Sequence, residues 1–177
     1  APPALTAQFT GTPTTVCTGG TVTFTNQSLG SPVSWSWSFP GGTPSGYIGQ
    51  NPPPVTYLTS GIYDVTLIVS DGSTNDTETK TGYITVKTVI ANFTGTPTTV
   101  VVGNMVTFTD NSSCSPAAWS WSFPGGTPSS YSGQFPPAIT YSTLGTYDVS
   151  LTVTKPGATD TRTRTGYITV SPPVFNM

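Results

Sequence analysis

Histidine is absent from this 177-residue chain, and charge is scarce: five Lys or Arg and seven Asp or Glu amount to 7% of it. Without imidazole there is no Ser-His or Cys-His relay and no imidazole metal ligand. A net charge of −2 leaves no basic patch to displace counterions from a phosphate backbone, which argues against nucleic acid as a partner. No apolar run approaches the ~20 residues of a membrane-spanning helix. No charged-then-apolar leader opens the chain, so a secreted protein would stand here in mature form. No window holds a 3.6-residue apolar period, so no long helix is expected, and no phosphate-binding loop can open one. We therefore expect no catalysis, no cofactor and no metal.

What the chain has is Thr, Ser, Gly and Pro in abundance, and aromatics. The stretch Trp35-Ser36-Trp37-Ser38-Phe39-Pro40-Gly41-Gly42 returns 84 positions later as Trp119-Ser120-Trp121-Ser122-Phe123-Pro124-Gly125-Gly126, and the two copies hold all four tryptophans. Aromatics at i, i+2 and i+4 lie on one face of a strand. Each ring can bury about 150–250 Å², so Trp35, Trp37, Phe39, Trp119, Trp121 and Phe123 are the expected core aromatics. A sugar-stacking platform is the other reading, but rings of one strand parity belong more often to a core. Pro-Gly-Gly then ends the strand.

Residues 7–86 lie over 91–170 without a gap, the mark of a tandem duplication. Two domains follow, 1–87 and 88–171, with 172–177 as a tail or the start of a further repeat. Within the first unit we expect strands over about 5–10, 21–26, 33–39, 55–58, 62–70 and 79–86. Residues 40–54, rich in Gly, Pro and Ser, read as one long irregular loop. On the strand over 62–70, Tyr63, Val65, Leu67 and Val69 share a face, and Asp71-Gly72 signals a hairpin. Turns every 8–12 residues and about seven short strands per unit give an all-β fold of two tandem immunoglobulin-like β-sandwiches.

The ordered motifs Trp-Ser-Phe-Pro-Gly-Gly, Val55-Thr56-Tyr57, Gly61-Ile62-Tyr63-Asp64-Val65-Thr66-Leu67-Ile68-Val69 and Tyr83-Ile84-Thr85-Val86 resemble a polycystic-kidney-disease (PKD) domain. The second unit repeats them as Ile139-Thr140-Tyr141 and Gly145-Thr146-Tyr147-Asp148-Val149-Ser150-Leu151-Thr152-Val153. The commoner family pattern after the Trp is Asp-Phe-Gly-Asp-Gly; here Ser38 or Ser122 replaces the first Asp and Pro-Gly-Gly replaces Gly-Asp-Gly, which resembles a variant frequent in secreted bacterial proteins. An acidic ion site at that turn is not implied. The resemblance implies a β-sandwich used as an extracellular spacer, adhesive or assembly module without catalysis of its own.

Candidate sites are few. The acids are Asp64, Asp71, Asp76, Glu78, Asp110, Asp148 and Asp160. Asp64 and Asp148 take the outward parity of a strand, each alone. The run Asp71–Glu78 could gather oxygens for weak Ca²⁺ binding, but Lys155 and Arg162 stand at its ends in the second unit, which favours a plain hairpin tip. Four sequons, at Asn26, Asn75, Asn92 and Asn111, read as surface loops. Tyr47, Tyr131 and Phe135 on the long loops either bind glycans or a neighbouring subunit or fold back over their sandwich.

In the tail, Val174, Phe175 and Met177 align with Ile90, Ala91 and Phe93; either they begin a truncated third repeat or they add a strand to a neighbouring molecule, giving head-to-tail filaments. Cys17 and Cys114, the only cysteines, each interrupt the repeat, facing Val101 and Gly30. A disulfide between them, near the poles that the link at 87–89 joins, would close a loop of roughly 100 residues and stiffen the junction, in an oxidising compartment. The expectation is a non-catalytic extracellular or cell-surface structural module, a building block or rigid spacer that self-associates or meets another extracellular protein. The alternatives are a polysaccharide- or protein-binding adhesion module, or an accessory spacer of a larger secreted enzyme.

Overall fold

The computed structural model describes residues 3–173. The chain divides into two compact units, one reaching to Thr88 and the other beginning at Val89. All regular structure among the described residues is β.

In the first unit, β1 (Phe9–Thr12), β2 (Thr15–Cys17) and β3 (Gly20–Asn26) precede the tryptophan strand β4 (Ser34–Ser38). Next come β5 (Gly42–Thr43), β6 (Gly46–Ile48), β7 (Val55–Tyr57), β8 (Gly61–Ser70) and β9 (Asn75–Lys87). They form a four-stranded sheet, β1-β3-β7-β5, and a five-stranded sheet, β2-β9-β8-β4-β6. All pairs are antiparallel except β2 with β9, where Thr15 lies opposite Thr85 and Cys17 opposite Lys87. The second unit repeats this order as β10 (Phe93–Thr96), β11 (Thr99–Val101), β12 (Met105–Asp110), β13 (Ala118–Ser122), β14 (Gly126–Thr127), β15 (Ser130–Ser132), β16 (Ile139–Tyr141), β17 (Gly145–Lys155) and β18 (Ala158–Ser171).

Two immunoglobulin-like sandwiches are therefore present. Each has nine strands where about seven were expected: the short β2 falls outside the strands placed from sequence, and the stretch read as an irregular loop over 40–54 holds β5 and β6. The cause is local: the Gly42 N–H donates to Phe39 O (3.0 Å) and the Phe39 N–H to Ser45 O (2.8 Å), so Pro-Gly-Gly closes a tight turn instead of releasing the chain. Gly41 has a φ of 75°, and the Tyr63 ring fills the space a Cβ would need; only glycine fits both demands. The first strand also lies later than its sequence pattern suggests, with residues 5–6 held by a lone bridge from Thr6 to Leu29.

Each core is built on the tryptophan strand. Trp37, Phe39, Phe9 and Phe24 are buried with Val55, Tyr57, Leu67 and Ile84. Phe9 meets Trp37 edge-on at 5.4 Å, and Trp37 stacks on Phe39 at 5.7 Å, arrangements favoured by the ring quadrupole. Trp35, nearer the strand's start, is only partly buried against this cluster. Tyr63 donates its hydroxyl to Thr59 O (2.9 Å) and Tyr147 to Thr143 O (2.9 Å), the tyrosine corner of immunoglobulin-like sandwiches.

Candidate interaction surfaces

Ten of the chain's twelve charged side chains hydrogen-bond to its own main chain. Asp76 Oδ2 accepts from the Ala7 N–H (2.7 Å) and Glu78 Oε2 from the Phe9 N–H (3.0 Å), while the Lys80 ammonium donates to Phe9 O (2.7 Å). The Gly11 N–H donates to Tyr83 OH (2.8 Å). These groups reach from β9 to the outer edge of β1, where the pleat turns alternate N–H groups away from β3. They close an edge that would otherwise invite strand addition. In the second unit Asp160 holds the Ala91 N–H (2.7 Å), Tyr167 the Gly95 N–H (2.8 Å) and Arg164 the Phe93 carbonyl (2.9 Å).

The remaining acids are equally committed. Asp64 and Asp148 are not alone on their strands. Each sits where the register shifts, and its Oδ1 accepts from the N–H of Gly82 or Gly166 (2.7 Å). A bulge frees one N–H from the ladder, and the carboxylate takes it. Asp71 accepts from the Ser73 and Thr74 N–H groups, which hold its carboxyl below the usual range; the run that might have gathered a cation is a hairpin. No group of three or more potential metal ligands occurs among the described residues. At Asp110, burial would raise the carboxyl, but hydrogen bonds from Ser112, Gln134 and Trp119 outweigh it and leave the carboxyl below the ordinary value. Burial, with the neighbouring Tyr63 or Tyr147, pushes Tyr57 and Tyr141 up to about 12.

The loop aromatics separate. Tyr47 lies opposite Trp37, and Tyr131 opposite Trp121; both are half-buried and pack against their cores. Phe135 is 78% exposed, on a loop fastened where Gln134 donates to Asp110 (3.1 Å) and Pro136 is buried. Ile48, 83% exposed at the edge of the five-stranded sheet, was not singled out from sequence; its alternation with Tyr47 was the available signal. Of the sequon residues, Asn75 and Asn111 are exposed, whereas Asn26 and Asn92 are half-buried. No pocket opens among the described residues, and no helix is long and apolar enough to cross a membrane. The tail residues Val174, Phe175 and Met177 lie outside the described residues.

Cys17 and Cys114 are both disulfide-bonded. Cys17 ends β2 opposite Lys87. Next to Cys114, the Ser113 N–H donates to Ile90 O (2.9 Å). Cys114 and Ser115 have φ of 62° and 46°, and Lys155 Nζ donates to both their carbonyls, at 2.7 and 3.3 Å.

Family models described as PKD domain match residues 1–86 and 90–166. The chain belongs to the PKD domain family. PKD domains are immunoglobulin-like, typical of extracellular proteins, and typically non-catalytic. Among solved structures, the two PKD units are similar to murine CEACAM1b, at 15% identity, a TM-score of 0.35, and coverage of 94% of this chain and 98% of that one. They are also similar to the titin domains z1z2 in complex with telethonin, at 17% identity, a TM-score of 0.38, and 95% and 98% coverage. An amphioxus IgVJ-C2 molecule aligns at 17% identity, a TM-score of 0.33, and 87% and 99% coverage. No curated protein matches the chain.

Proposed function

We propose that the chain is a non-catalytic structural module of an extracellular or cell-surface assembly, serving as a stiff spacer or building block. The observation that carries this reading is the state and placement of the two cysteines. Both are disulfide-bonded and the chain has no third. Cys17 borders Lys87, the last residue of its unit's final strand, and Cys114 borders Ile90, close to the start of the second. A Cys17–Cys114 bond then bridges the link between units and limits their motion. Its position outside the repeat fits a feature needed once per chain. The seven acids each hold a main-chain N–H of their own unit, a structural use that agrees with a module without catalysis. Non-reducing peptide mapping tests the pairing: one cross-linked peptide joining Cys17 and Cys114 is expected, and two free thiols, or a dimer dissolved by reductant, would overturn it. Negative-stain microscopy of the purified protein tests the building-block role, for which ordered polymers are the expected outcome.

A second reading is favoured by Ile48 and Phe135, each an apolar side chain presented by the segment after the tryptophan strand. In this reading that segment binds a polysaccharide or another protein. Replacing both by Ser should abolish retention on a glycan or protein array while leaving polymer formation intact.

A further inference from the structure

The two units close their outer edges differently at one seat. In the first, Glu78 accepts from the Phe9 N–H through Oε2 (3.0 Å) and lies 3.6 Å from Lys80 Nζ through Oε1, both side chains being about a quarter exposed, 28% and 27%. In the second, Arg162 stands where Glu78 would be and Arg164 where Lys80 would be. By strand parity the Phe93 N–H faces the same outer edge, between the bonded N–H groups of Ala91 and Gly95, and no acceptor reaches it among the described residues. Phe93 is fully buried, and a buried N–H without a partner costs about 1–3 kcal/mol.

Two further donors accompany it. Arg164 Nε is buried with no partner although its Nη2 is bonded to Phe93 O, and Arg162 is exposed and carries no hydrogen bond among those described. The local charge inverts as well: two acids and one base (Asp76, Glu78, Lys80) sum to −1, one acid and two bases (Asp160, Arg162, Arg164) to +1. We propose that the outer edge of β10 seats a carboxylate from outside the chain, the acidic side chain of a protein partner, in the place that Glu78 fills in the first unit. Phe93 is fully covered while the seat is empty, so the side chains over it must move aside to admit the carboxylate, which would then accept from the Phe93 N–H and pair with Arg162 and Arg164.

The chain itself indicates the class of ligand. All seven of its acids already hold main-chain N–H groups of their own unit, so a second copy could fill the seat only by sharing a carboxylate that already serves its own fold. The N–H groups of Ala91 and Gly95 and the Phe93 carbonyl are occupied, so a whole strand cannot add along this edge. What fits is a single carboxylate on a narrow arm, as Glu78 shows; a uronate bears its carboxylate directly on a sugar ring and lacks that reach.

Amide NMR of the full chain tests this with three probes at constant ionic strength: sodium acetate, a short Glu-containing peptide and an oligogalacturonate. The Phe93 amide and the Arg164 Nε–H should shift saturably with acetate and with the peptide, while the Phe9 amide stays fixed. Arg162→Glu should abolish the response, Arg162→Gln should weaken it about two- to fivefold, and Glu78→Arg should transfer it to Phe9. An unresponsive Phe93 amide, equal shifts with chloride, or a response to the oligogalacturonate alone would each overturn the proposal. The titration of the unmodified protein decides it even if a variant fails to fold.

Discussion

The two PKD units agree in their cores and differ around them. Phe9 meets Trp37 at 5.4 Å and Phe93 meets Trp121 at 5.4 Å; the stacked pairs on the same strands stand at 5.7 and 5.6 Å. The periphery differs: Asn26 corresponds to Asp110, Gly30 to Cys114, Asp71 to Lys155 and Glu78 to Arg162. Close-packed interiors tolerate little change in volume, whereas a half-exposed side chain can change sign and still leave the sandwich standing. The indole of the outer tryptophan shows what such a change does. Trp119 Nε1 donates to Asp110 Oδ2 (2.8 Å), whose carboxylate also takes the Ser112 N–H and Gln134 Nε2. In the first unit Trp35 Nε1 is buried with no partner. Asn26 gives its one acceptor, Oδ1, to the Ser28 N–H and hydroxyl, and the other end of its amide is itself a donor.

Four pairs of substitutions probe how far the two units are alike. The largest effect lies in the shared core: Trp37→Ala and Trp121→Ala should each cost about 3–5 kcal/mol, and equally. Native-state hydrogen exchange, read at the Leu67 and Leu151 amides, measures each unit separately. Losses differing by more than about 1 kcal/mol would show that the cores are not energetically alike.

Removing the carboxylate that closes the strand edge comes next. Asp76→Ala and Asp160→Ala should each cost about 1–3 kcal/mol by stranding the N–H of Ala7 or Ala91. Both variants should also raise the aggregation rate, read by light scattering, because an open edge accepts another strand.

The outer tryptophans should respond in opposite directions. Asn26→Asp should stabilise the first unit by about 0.5–1.5 kcal/mol by giving Trp35 an acceptor, and Asp110→Asn should destabilise the second by a similar amount. The Asp110 carboxyl lies below its ordinary value of 3.8. Its stabilising contribution is therefore complete above pH 3.8 and disappears as pH falls through the lower folded value. Acid titration of the second unit's stability should be flatter in Asp110→Asn than in the parent.

The smallest effect is expected at Tyr57 and Tyr141, whose hydroxyls are buried without partners. Tyr57→Phe and Tyr141→Phe should be neutral or stabilising near pH 7, within about 1 kcal/mol. Both carboxyl-free acids have folded values raised from 10.0 to about 12, so the parent should lose stability as pH rises from 10 through about 12. The Phe variants should lack that loss, as alkaline circular-dichroism titrations would show.

Much of the fold was legible before the structure because it rests on short-range pattern. The alternation Val22, Phe24 and the run Tyr63, Val65, Leu67, Val69 mark which face is buried, and the 84-residue offset marks the duplication. The candidate surfaces were far less legible. Asp64 reads as a lone outward acid because the bulge that frees the Gly82 N–H depends on the pairing of β8 with β9. Tyr47 reads as a loop aromatic because its packing depends on β6 joining β4. The acidic run of the hairpin suggests cation binding only until Asp76 and Glu78 are seen to turn toward β1.

Read alone, the chain already carries the longer strands, their buried faces, the repeat and the family, since side-chain alternation and turn chemistry act over a few residues. Only the tertiary structure decided where the charges go. Asp76 reaches Ala7 across 69 positions, Lys80 reaches Phe9 across 71, and Tyr83 reaches Gly11 across 72. Those bonds exist because the sandwich folds β9 over the outer edge of β1, where a main-chain N–H donates to, and a main-chain carbonyl accepts from, any well-placed group whatever side chain its own residue carries. No local pattern encodes such a partner, and the single exchange of Glu78 for Arg162 acquires meaning only at that edge.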